Sequence, residues 1–371
     1  MDSFLSRVVT SDPVAGCRRF MPKGDDFLYI ICPFVHVNRP RELHSPGPSI
    51  PKSGSITLNT INIRLFGHHK MTNTFSVWLL AARLRTLPLA CSSILLGSGL
   101  AASRGAFDGT IMALSLLTAI LLQILSNLAN DYGDAVSGAD NGERIGPQRA
   151  VVSGLITKKQ MCVAMGLTAL AAVASGLLLL GCAFGGQWLQ ILAFVVLGGA
   201  AIVAAVTYTV GKTPYGYRGF GDISVFLFFG LLGVLGSYYL FTKTLEWDLL
   251  LPATACGLLA TAVLNINNVR DIETDAASGK ITLAVRLGRN RAIAYHWVLL
   301  GAALLATIAF ILIQPASFWP WIFLPAMKPL SDAARTLRES YDGEVLTGAL
   351  KKTAISAFLF SLLLSIGLAF S

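Results

Sequence analysis

Long apolar runs alternate with short polar stretches from residue 76 to the end of the chain. Each run has close to the roughly 20 residues that an α-helix needs to cross the hydrocarbon core of a bilayer. The pattern predicts nine helices, at residues 76–101, 110–131, 160–181, 187–209, 221–242, 248–268, 291–313, 317–336 and 350–370. The eighth is the least regular, because it contains or adjoins Pro315, Pro320, Pro325 and Pro329.

The composition agrees with a chain that lies mostly in lipid. Of the 371 residues, 54% are hydrophobic and 13% are charged, whereas a soluble domain has roughly 25% charged residues. Helices in lipid satisfy their own backbone hydrogen bonds, so we predict an all-α fold, a polytopic membrane protein. The six cysteines show no paired spacing, so neither a disulfide framework nor a CxxC metal site is expected.

The basic residues are distributed very unevenly between the two sets of loops. Sixteen Lys and Arg residues lie in the loops that follow the even-numbered predicted helices, against only Arg104 and Lys243 in the opposite loops. The positive-inside rule therefore predicts that the sixteen-residue side faces the cytoplasm. The net charge of +9 then reflects orientation in the lipid bilayer, and we expect no nucleic-acid partner.

Residues 1–70 differ from the rest of the chain and contain seven of its fifteen prolines. No apolar stretch there is long enough to span a membrane. We interpret this segment as a disordered extension, or as the result of a start assigned too early, with Met71 as the true start. A targeting segment is the alternative, although the acidic residues Asp2, Asp12, Asp25 and Asp26 disfavour a transit peptide.

Two clusters of Asn and Asp stand out, each at the end of an apolar run. The first contains Asn127, Asn130, Asp131 and Asp134, spaced i, i+3, i+4 and i+7, with Asp140 following after two glycines. A helix of 3.6 residues per turn places the first four on one face. The second contains Asn267, Asn268, Arg270, Asp271, Glu273 and Asp275, with Asp271 and Asp275 at i, i+4.

Acidic residues at these positions need a compensating partner. A helix C-terminus disfavours negative charge, and acids at the end of a membrane helix are costly unless something positive binds them. Mg²⁺ prefers oxygen ligands and commonly bridges carboxylates to phosphates. The clusters therefore predict a site for divalent cations and a polyphosphate, with solvated helix ends as the plainer alternative.

Several basic and aromatic residues are candidates for the same site. The glycine-rich stretch 208–222 contains Tyr208 and Lys212, four residues apart, and Lys212 is a candidate phosphate ligand. The stretch contains no Walker A motif, and an ordinary positive-inside loop remains the alternative. Arg149 offers a planar fork for phosphate, and Lys280 has the same two interpretations. With His296 as the single histidine of the membrane region, no Ser-His-Asp or Cys-His arrangement is indicated.

Three segments together resemble the UbiA superfamily of intramembrane prenyltransferases. They are NLANDYGDAVSGAD with IGPQRAVVSG, YTVGKTPYGYRGFGDISVFLFFG, and NNVRDIETDAASGKITLAVRLG. They are most similar to the 1,4-dihydroxy-2-naphthoate polyprenyltransferases of menaquinone synthesis. The spacing of Asn130, Asp134 and Asp140 departs from the commoner NxxxDxxxD and is similar to that of the naphthoate branch.

The resemblance implies helices around a central cavity that opens to lipid, and a role for each matching residue. Asn130, Asp134, Asp140, Asp271 and Asp275 would hold Mg²⁺. Arg149, Lys212 and Lys280 would bind the diphosphate, and Tyr208 would lie near the reacting prenyl carbon. Asn127, Asn267 and Arg270 would be substrate-binding residues. Asp131 would orient its neighbours.

The resemblance also implies a reaction and a location. The expected partners are a polyprenyl diphosphate and 1,4-dihydroxy-2-naphthoate, which would give demethylmenaquinone with loss of CO₂ and diphosphate. The expected location is the cell inner membrane, with the site facing the cytoplasm. Alternatives are another aromatic acceptor, a phytyl donor with a plastid membrane location, and, from a different class, a cation-coupled transporter.

Overall fold

The computed structural model describes residues 74–138 and 149–371. Within those ranges all regular structure is helical, and eight helices are long and apolar enough to cross a membrane. The prediction of an all-α membrane protein with about nine spans is confirmed. The predictions for residues 1–70 and for Asp140 lie outside the described residues.

The helices have the following bounds: α1 Thr74–Ala82, α2 Leu87–Ser103, α3 Gly109–Ser137, α4 Lys158–Phe184, α5 Trp188–Thr207, α6 Gly221–Val225, α7 Gly236–Thr242, α8 Leu250–Arg270, α9 Ile272–Ala277, α10 Leu283–Leu287, α11 Arg289–Ile313, α12 Met327–Glu339 and α13 Gly343–Ala369. Short 3₁₀ turns lie at Leu84–Thr86, Tyr215–Arg218, Trp247–Leu249 and Trp319–Ala326, and a π-helical segment, Phe226–Leu235, joins α6 to α7.

Side-chain caps explain where several of the long helices begin. The Asp108 carboxylate accepts hydrogen bonds from the first backbone N–H groups of α3, and Asp342 does the same for α13. Thr157 and Gln160 form a capping box at the start of α4. These contacts satisfy donors that a helix start otherwise leaves unpaired. Because of the Asp342 cap, α13 begins at residue 343 rather than at the predicted 350.

The first predicted helix is not continuous. Arg83 adopts a left-handed conformation with φ 50° and ψ 59°, and the 3₁₀ turn Leu84–Thr86 follows. Pro88 then lies in the first turn of α2, where its missing N–H costs little. The prediction of one helix over 76–101 is therefore wrong in detail: α1 and α2 form one span with a break, the break segment Arg83–Thr86.

The third helix extends six residues beyond its predicted end at residue 131. It stays helical through Ser137 and ends where Gly138 takes φ 72°. A left-handed glycine is a common helix terminator. All members of the first cluster up to Asp134 therefore lie on a single regular helix.

The proline-rich eighth segment crosses the bundle as a 3₁₀ turn followed by α12. At one end, Trp319 lies against Gly367, where an added Cβ would come within 2.3 Å of the Trp319 carbonyl oxygen. At the other end, the Arg289 guanidinium donates to the carbonyl of Leu337 at 2.9 Å and also to that of Ser340. The segment thus packs against α13 and α11, and it is not among the eight described helices that are long and apolar enough to cross a membrane.

The centre of the bundle is α8. It is the most buried of the candidate spans, and α11, α13 and the π-helical segment surround it. Close backbone contact is possible because glycines meet: a Cβ at Gly230 would lie 2.7 Å from the Ala253 carbonyl oxygen and from Gly257 Cα. By contrast, α5 has no buried residue; it packs at the edge of the bundle against α3 and α4, and its Ala201, Ala204 and Ala205 line the cavity described below.

Candidate active site

The ends of α3 and α8 meet at one end of the bundle, which we call the polar end. Tyr217, on the loop after α5, connects the two clusters: its hydroxyl donates to Asp134 at 2.5 Å. The Tyr217 ring lies 5.7 Å from the Lys280 ammonium group, and that group pairs with Asp275 at 3.3 Å. The structure therefore brings both predicted clusters together, as expected.

The first cluster is buried and internally bonded. Asp134 is 3% exposed and forms a salt bridge with Arg149. Asp131 accepts a hydrogen bond from the backbone N–H of Ala150 at 3.1 Å, which fixes the segment that carries Arg149. The Asn130 side-chain oxygen accepts from the Thr209 hydroxyl at 3.1 Å. The orienting role of Asp131 stays a prediction.

The second cluster is held by Arg270. Its guanidinium donates two hydrogen bonds of 2.7 Å to the Asp271 carboxylate, one to Asn267 at 2.9 Å and one to Thr347 of α13 at 3.1 Å. A bidentate pair of this kind fixes the carboxylate in direction as well as in distance. In this structure Arg270 and Asn267 thus fix the orientation of Asp271.

The Asp275 carboxyl group is buried beside other acidic groups of the site. The pKa of its carboxyl group is raised to about 6, chiefly by burial; Lys280 lowers this pKa, and the neighbouring carboxylates of Asp271 and Asp134 raise it. Its Oδ2 atom is buried and accepts no hydrogen bond from the residues that the structure describes. A buried carboxylate oxygen of this kind is costly unless a proton or a cation compensates it.

A cavity of about 370 Å³ opens beside these clusters. Its polar wall includes many predicted site residues: Asn127, Asn130, Asp134, Arg149, Tyr208, Asn267 and Lys280. Its other walls are apolar, with Leu89, Ile94, Phe228 and Val263 among them. Asp271, Asp275 and Arg270 are not in its lining; Asn267 and Lys280, which contact Arg270 and Asp275, are. The cavity therefore joins a charged end to a space suited to hydrocarbon.

Tyr208 is held at the cavity wall by a tight turn. Its ring packs edge-on against Tyr215, with 5.3 Å between ring centroids, and its carbonyl accepts from the Gly216 N–H at 3.1 Å. A Cβ at Gly216 would lie 2.6 Å from that carbonyl oxygen. Only glycine leaves room for this approach, so the glycine-rich sequence of the loop positions Tyr208.

Lys212 does not lie with the other candidates. Because α5 ends at Thr207, Lys212 is not on a helical face shared with Tyr208; it is exposed and does not line the cavity. Its assignment to the diphosphate stays a prediction.

Sequence reasoning missed Tyr217, Arg83 and Arg85. The two arginines line the cavity, and Tyr217 contacts Asp134 of the first cluster and Lys280, which pairs with Asp275 of the second. Tyr217 stands in the glycine-rich stretch already singled out, so its aromatic hydroxyl near Lys212 was a usable signal.

The donor set fits a magnesium site in kind. Asp134, Asp271, Asp275 and Asn130 offer the hard oxygen ligands that Mg²⁺ prefers, and Asp275 Oδ2 has no hydrogen-bond partner in the described part of the chain. Among the described residues, no group of three Asp, Glu, His or Cys side chains converges closely enough to hold a metal alone. Asp140 lies outside those residues, and phosphate oxygens commonly complete such sites.

These features define an intramembrane helical enzyme with paired carboxylate clusters over a partly apolar cavity. Residues 90–345 match the UbiA prenyltransferase family, and the chain belongs to that family. It is therefore a multi-pass membrane prenyltransferase.

Relatives of established name span most of the chain. The 1,4-dihydroxy-2-naphthoate octaprenyltransferase of Escherichia coli (strain K12) is 49% identical over 291 residues, covering 78% of this chain and 94% of the relative. The protein of the same name from Mycobacterium tuberculosis (strain ATCC 25618 / H37Rv) is 38% identical, covering 80% and 98%. A 2-carboxy-1,4-naphthoquinone phytyltransferase of Synechocystis sp. (strain ATCC 27184 / PCC 6803 / Kazusa) is 27% identical, covering 58% and 67%.

Solved structures share the fold at low sequence identity. A UbiA homolog from Aeropyrum pernix K1 in its apo form aligns with a TM-score of 0.57 at 16% identity, covering 75% of this chain and 96% of that one. A UbiA homolog from Archaeoglobus fulgidus bound to GPP and Mg²⁺ aligns with a TM-score of 0.51 at 16% identity, covering 77% and 100%.

Proposed function

We propose that this enzyme transfers a polyprenyl group from a polyprenyl diphosphate to 1,4-dihydroxy-2-naphthoate, with release of CO₂ and diphosphate. The observation that carries the proposal is the joining of two Asn/Asp clusters and the cations Arg149 and Lys280 at one end of a cavity with apolar walls. The names of relatives up to 49% identical support the acceptor. The lower identity to the phytyltransferase favours a polyprenyl over a phytyl donor.

The residues that would hold Mg²⁺ are Asn130, Asp134, Asp140, Asp271 and Asp275. When bound, the metal would neutralise the diphosphate and make it a better leaving group. A fold relative solved with GPP and Mg²⁺ supports magnesium as the cofactor, and the assignment of these residues is our proposal. Asn267 and Arg270 keep the Asp271 carboxylate in place through the contacts described above.

Arg149 and Lys280 bind the diphosphate oxygens and stabilise the charge that develops as the bond to the prenyl carbon breaks. In the structure each already contacts a predicted metal ligand, Asp134 and Asp275 respectively. Tyr208 lies at the cavity wall, and its ring face stabilises positive charge at the first prenyl carbon.

The bonds of the transfer balance without an added base. The diphosphate leaves with the electron pair of the C–O bond, and ring carbon C2 of the naphthoate forms the new bond to the prenyl carbon. The bond from C2 to the carboxylate carbon then breaks, and its electron pair restores the aromatic ring as CO₂ departs. The immediate product is the quinol form of demethylmenaquinone.

The polar end is proposed to face the cytoplasm from the cell inner membrane. The sixteen-to-two distribution of Lys and Arg supports this orientation. A plastid membrane is the alternative if the donor proves to be phytyl diphosphate.

The test uses purified full-length protein in lipid, Mg²⁺, dihydroxynaphthoate and a series of prenyl diphosphates, with products identified by mass. We expect a prenylated naphthoquinol that has lost CO₂, and no product after EDTA. Prenylation of 4-hydroxybenzoate in place of dihydroxynaphthoate would contradict the assigned acceptor. Failure to consume any prenyl diphosphate would contradict the reaction itself.

A further inference from the structure

Two arginines lie inside the first membrane span with no role in the reaction as described. Arg83 and Arg85 belong to the break segment, within the span Phe75–Ser103. A guanidinium at such a depth is costly, and charged residues of this kind typically face a cavity or a substrate path. Both side chains line the reaction cavity.

The break segment is built into the fold. The Asn127 amide nitrogen donates to the Ala82 carbonyl at 2.8 Å and to the Thr86 hydroxyl at 2.9 Å, and the Asn127 oxygen accepts from Gln123 at 3.2 Å. These bonds tie the segment to α3 and hold Arg83 in its left-handed conformation, which non-glycine residues seldom adopt. In this structure the Asn127 amide is thus used to hold the break.

The break segment lies nearer the middle of α3 than the polar end does. Asn127 precedes Asp134 by seven residues on α3, a separation of about 10 Å along the helix axis. The break segment and the polar end therefore lie at separate places along one cavity, which Arg83 and Arg85 line together with Arg149 and Lys280.

We propose that Arg83 and Arg85 form the binding site for the carboxylate of the aromatic acceptor. The proposal rests on the proposed function and gives its acceptor a location. The apolar walls at Leu89 and Phe228 would pack against the ring, and the guanidinium fork matches a carboxylate in geometry. Arg149 and Lys280 lie with the acids of the polar end. We therefore assign the diphosphate to Arg149 and Lys280, and not to Arg83 and Arg85.

One consequence separates substrate from product. The carboxylate that the arginines bind leaves as CO₂ in each turnover, so the site has no anion to hold once the product has formed. Substrate affinity should depend on the arginines, while affinity for the prenylated product should not.

The test compares Arg83→Gln and Arg85→Gln with the exposed-site control Arg335→Gln, all as full-length protein in lipid nanodiscs. Binding of 1-hydroxy-2-naphthoate is measured against binding of 1-naphthol, which lacks the carboxylate. We expect the two variants to lose roughly 10- to 100-fold in affinity for the naphthoate, the loss expected of a charge-assisted contact, and none for 1-naphthol. KM for the prenyl diphosphate should stay within about twofold of wild type, which also reports an intact polar end.

Unchanged naphthoate affinity in both variants would overturn the proposal, as would a rise in KM for the prenyl diphosphate alone, which would place the arginines on the donor. If a variant is poorly folded, Arg83→Lys and Arg85→Lys, which keep the charge, provide the same comparison with 1-naphthol. The proposed function and the proposed carboxylate site fail in different ways. Wild-type protein that does not prenylate dihydroxynaphthoate contradicts the proposed function. Active wild-type protein, together with arginine variants whose affinity for the naphthoate is unchanged, contradicts only the carboxylate site.

Discussion

Asp134 is the residue on which the first cluster depends most directly. It is buried, pairs with Arg149 and accepts from Tyr217. We predict that Asp134→Asn lowers kcat/KM by at least roughly 100-fold, because the site loses a preorganised charge, while the shape of the side chain is kept. The control is Asp332→Asn, which removes a half-exposed carboxylate that pairs with Lys328 at 3.2 Å and with Lys352 at 3.4 Å. Full activity of Asp134→Asn at low Mg²⁺ concentration would exclude the two-cluster site; Asp271→Asn should behave alike.

Tyr217 offers a test that the sequence did not suggest. Tyr217→Phe removes the hydroxyl that donates to Asp134 and retains the ring beside Lys280. A hydrogen bond to a charged group contributes about 1.5–3 kcal/mol, so we expect a loss of roughly 10- to 100-fold in kcat/KM. The variant should lose more apparent affinity for Mg²⁺ and for the prenyl diphosphate than for the aromatic acceptor. Tyr341→Phe, at an exposed tyrosine, is the matched control. Equal activity of both variants would show that the Tyr217 hydroxyl is dispensable.

The loop after α5 is the element whose role is least fixed by the structure. It places Tyr208 on the cavity and leaves both Lys212 and Arg218 exposed. We predict that Lys212→Gln loses roughly 30- to 1000-fold in kcat/KM for the prenyl diphosphate, corresponding to about 2–4 kcal/mol, and that Arg218→Gln loses far less. Because Lys212 is exposed, the effect requires the loop to approach the donor.

Two measurements check this prediction. One is kcat/KM for both variants, and the other is acetylation of Lys212 with and without donor and Mg²⁺, where bound donor should protect the lysine. Small, equal losses and no protection would leave Lys212 as a charge that only sets orientation. The diphosphate would then depend on Arg149 and Lys280.

Elements differ in how far their sequence determines them. The hydrophobic runs located the helices because burial in lipid requires long apolar segments, and the i, i+3, i+4, i+7 spacing correctly placed Asn127 to Asp134 on one helix. The break segment was not foreseen. Arg83 adopts its left-handed conformation because Asn127 binds the chain from another helix, and no local signal at Arg83 reports that contact.

Helix α1 provides a test at the scale of the whole molecule. Its residues Val77 and Ala81 are buried against the second half of α3. We predict that a protein starting at Met71 inserts and keeps its activity, whereas one starting at Leu84 loses α1 and most of its activity. Membrane insertion and turnover of the two forms decide the matter. Loss of activity in the longer form at normal protein levels would show that residues 1–70 contribute more than an extension does.

The sequence predicted that the two clusters lie at the same face of the membrane, but it did not predict which cation contacts which acid. Two Asn/Asp clusters on ends of spans with the same orientation must lie at the same face of the membrane. Which cation contacts which acid depends on the path of the loops: Ile281 donates to the Tyr217 carbonyl at 2.9 Å, and that contact brings Lys280 beside Tyr217. Such a path follows from packing between segments distant in sequence.

The pairing of Asp134 with Arg149, Asp271 with Arg270 and Asp275 with Lys280 has a consequence for the order in which ligands arrive. A cation alone would meet the repulsion of three basic groups, and a diphosphate alone that of three acidic ones. Each ligand therefore supplies the charge that the other needs. Affinity for Mg²⁺ should be weak in the free enzyme and rise sharply with donor, and affinity for donor should rise with Mg²⁺ by the same factor, because coupling between two sites is reciprocal.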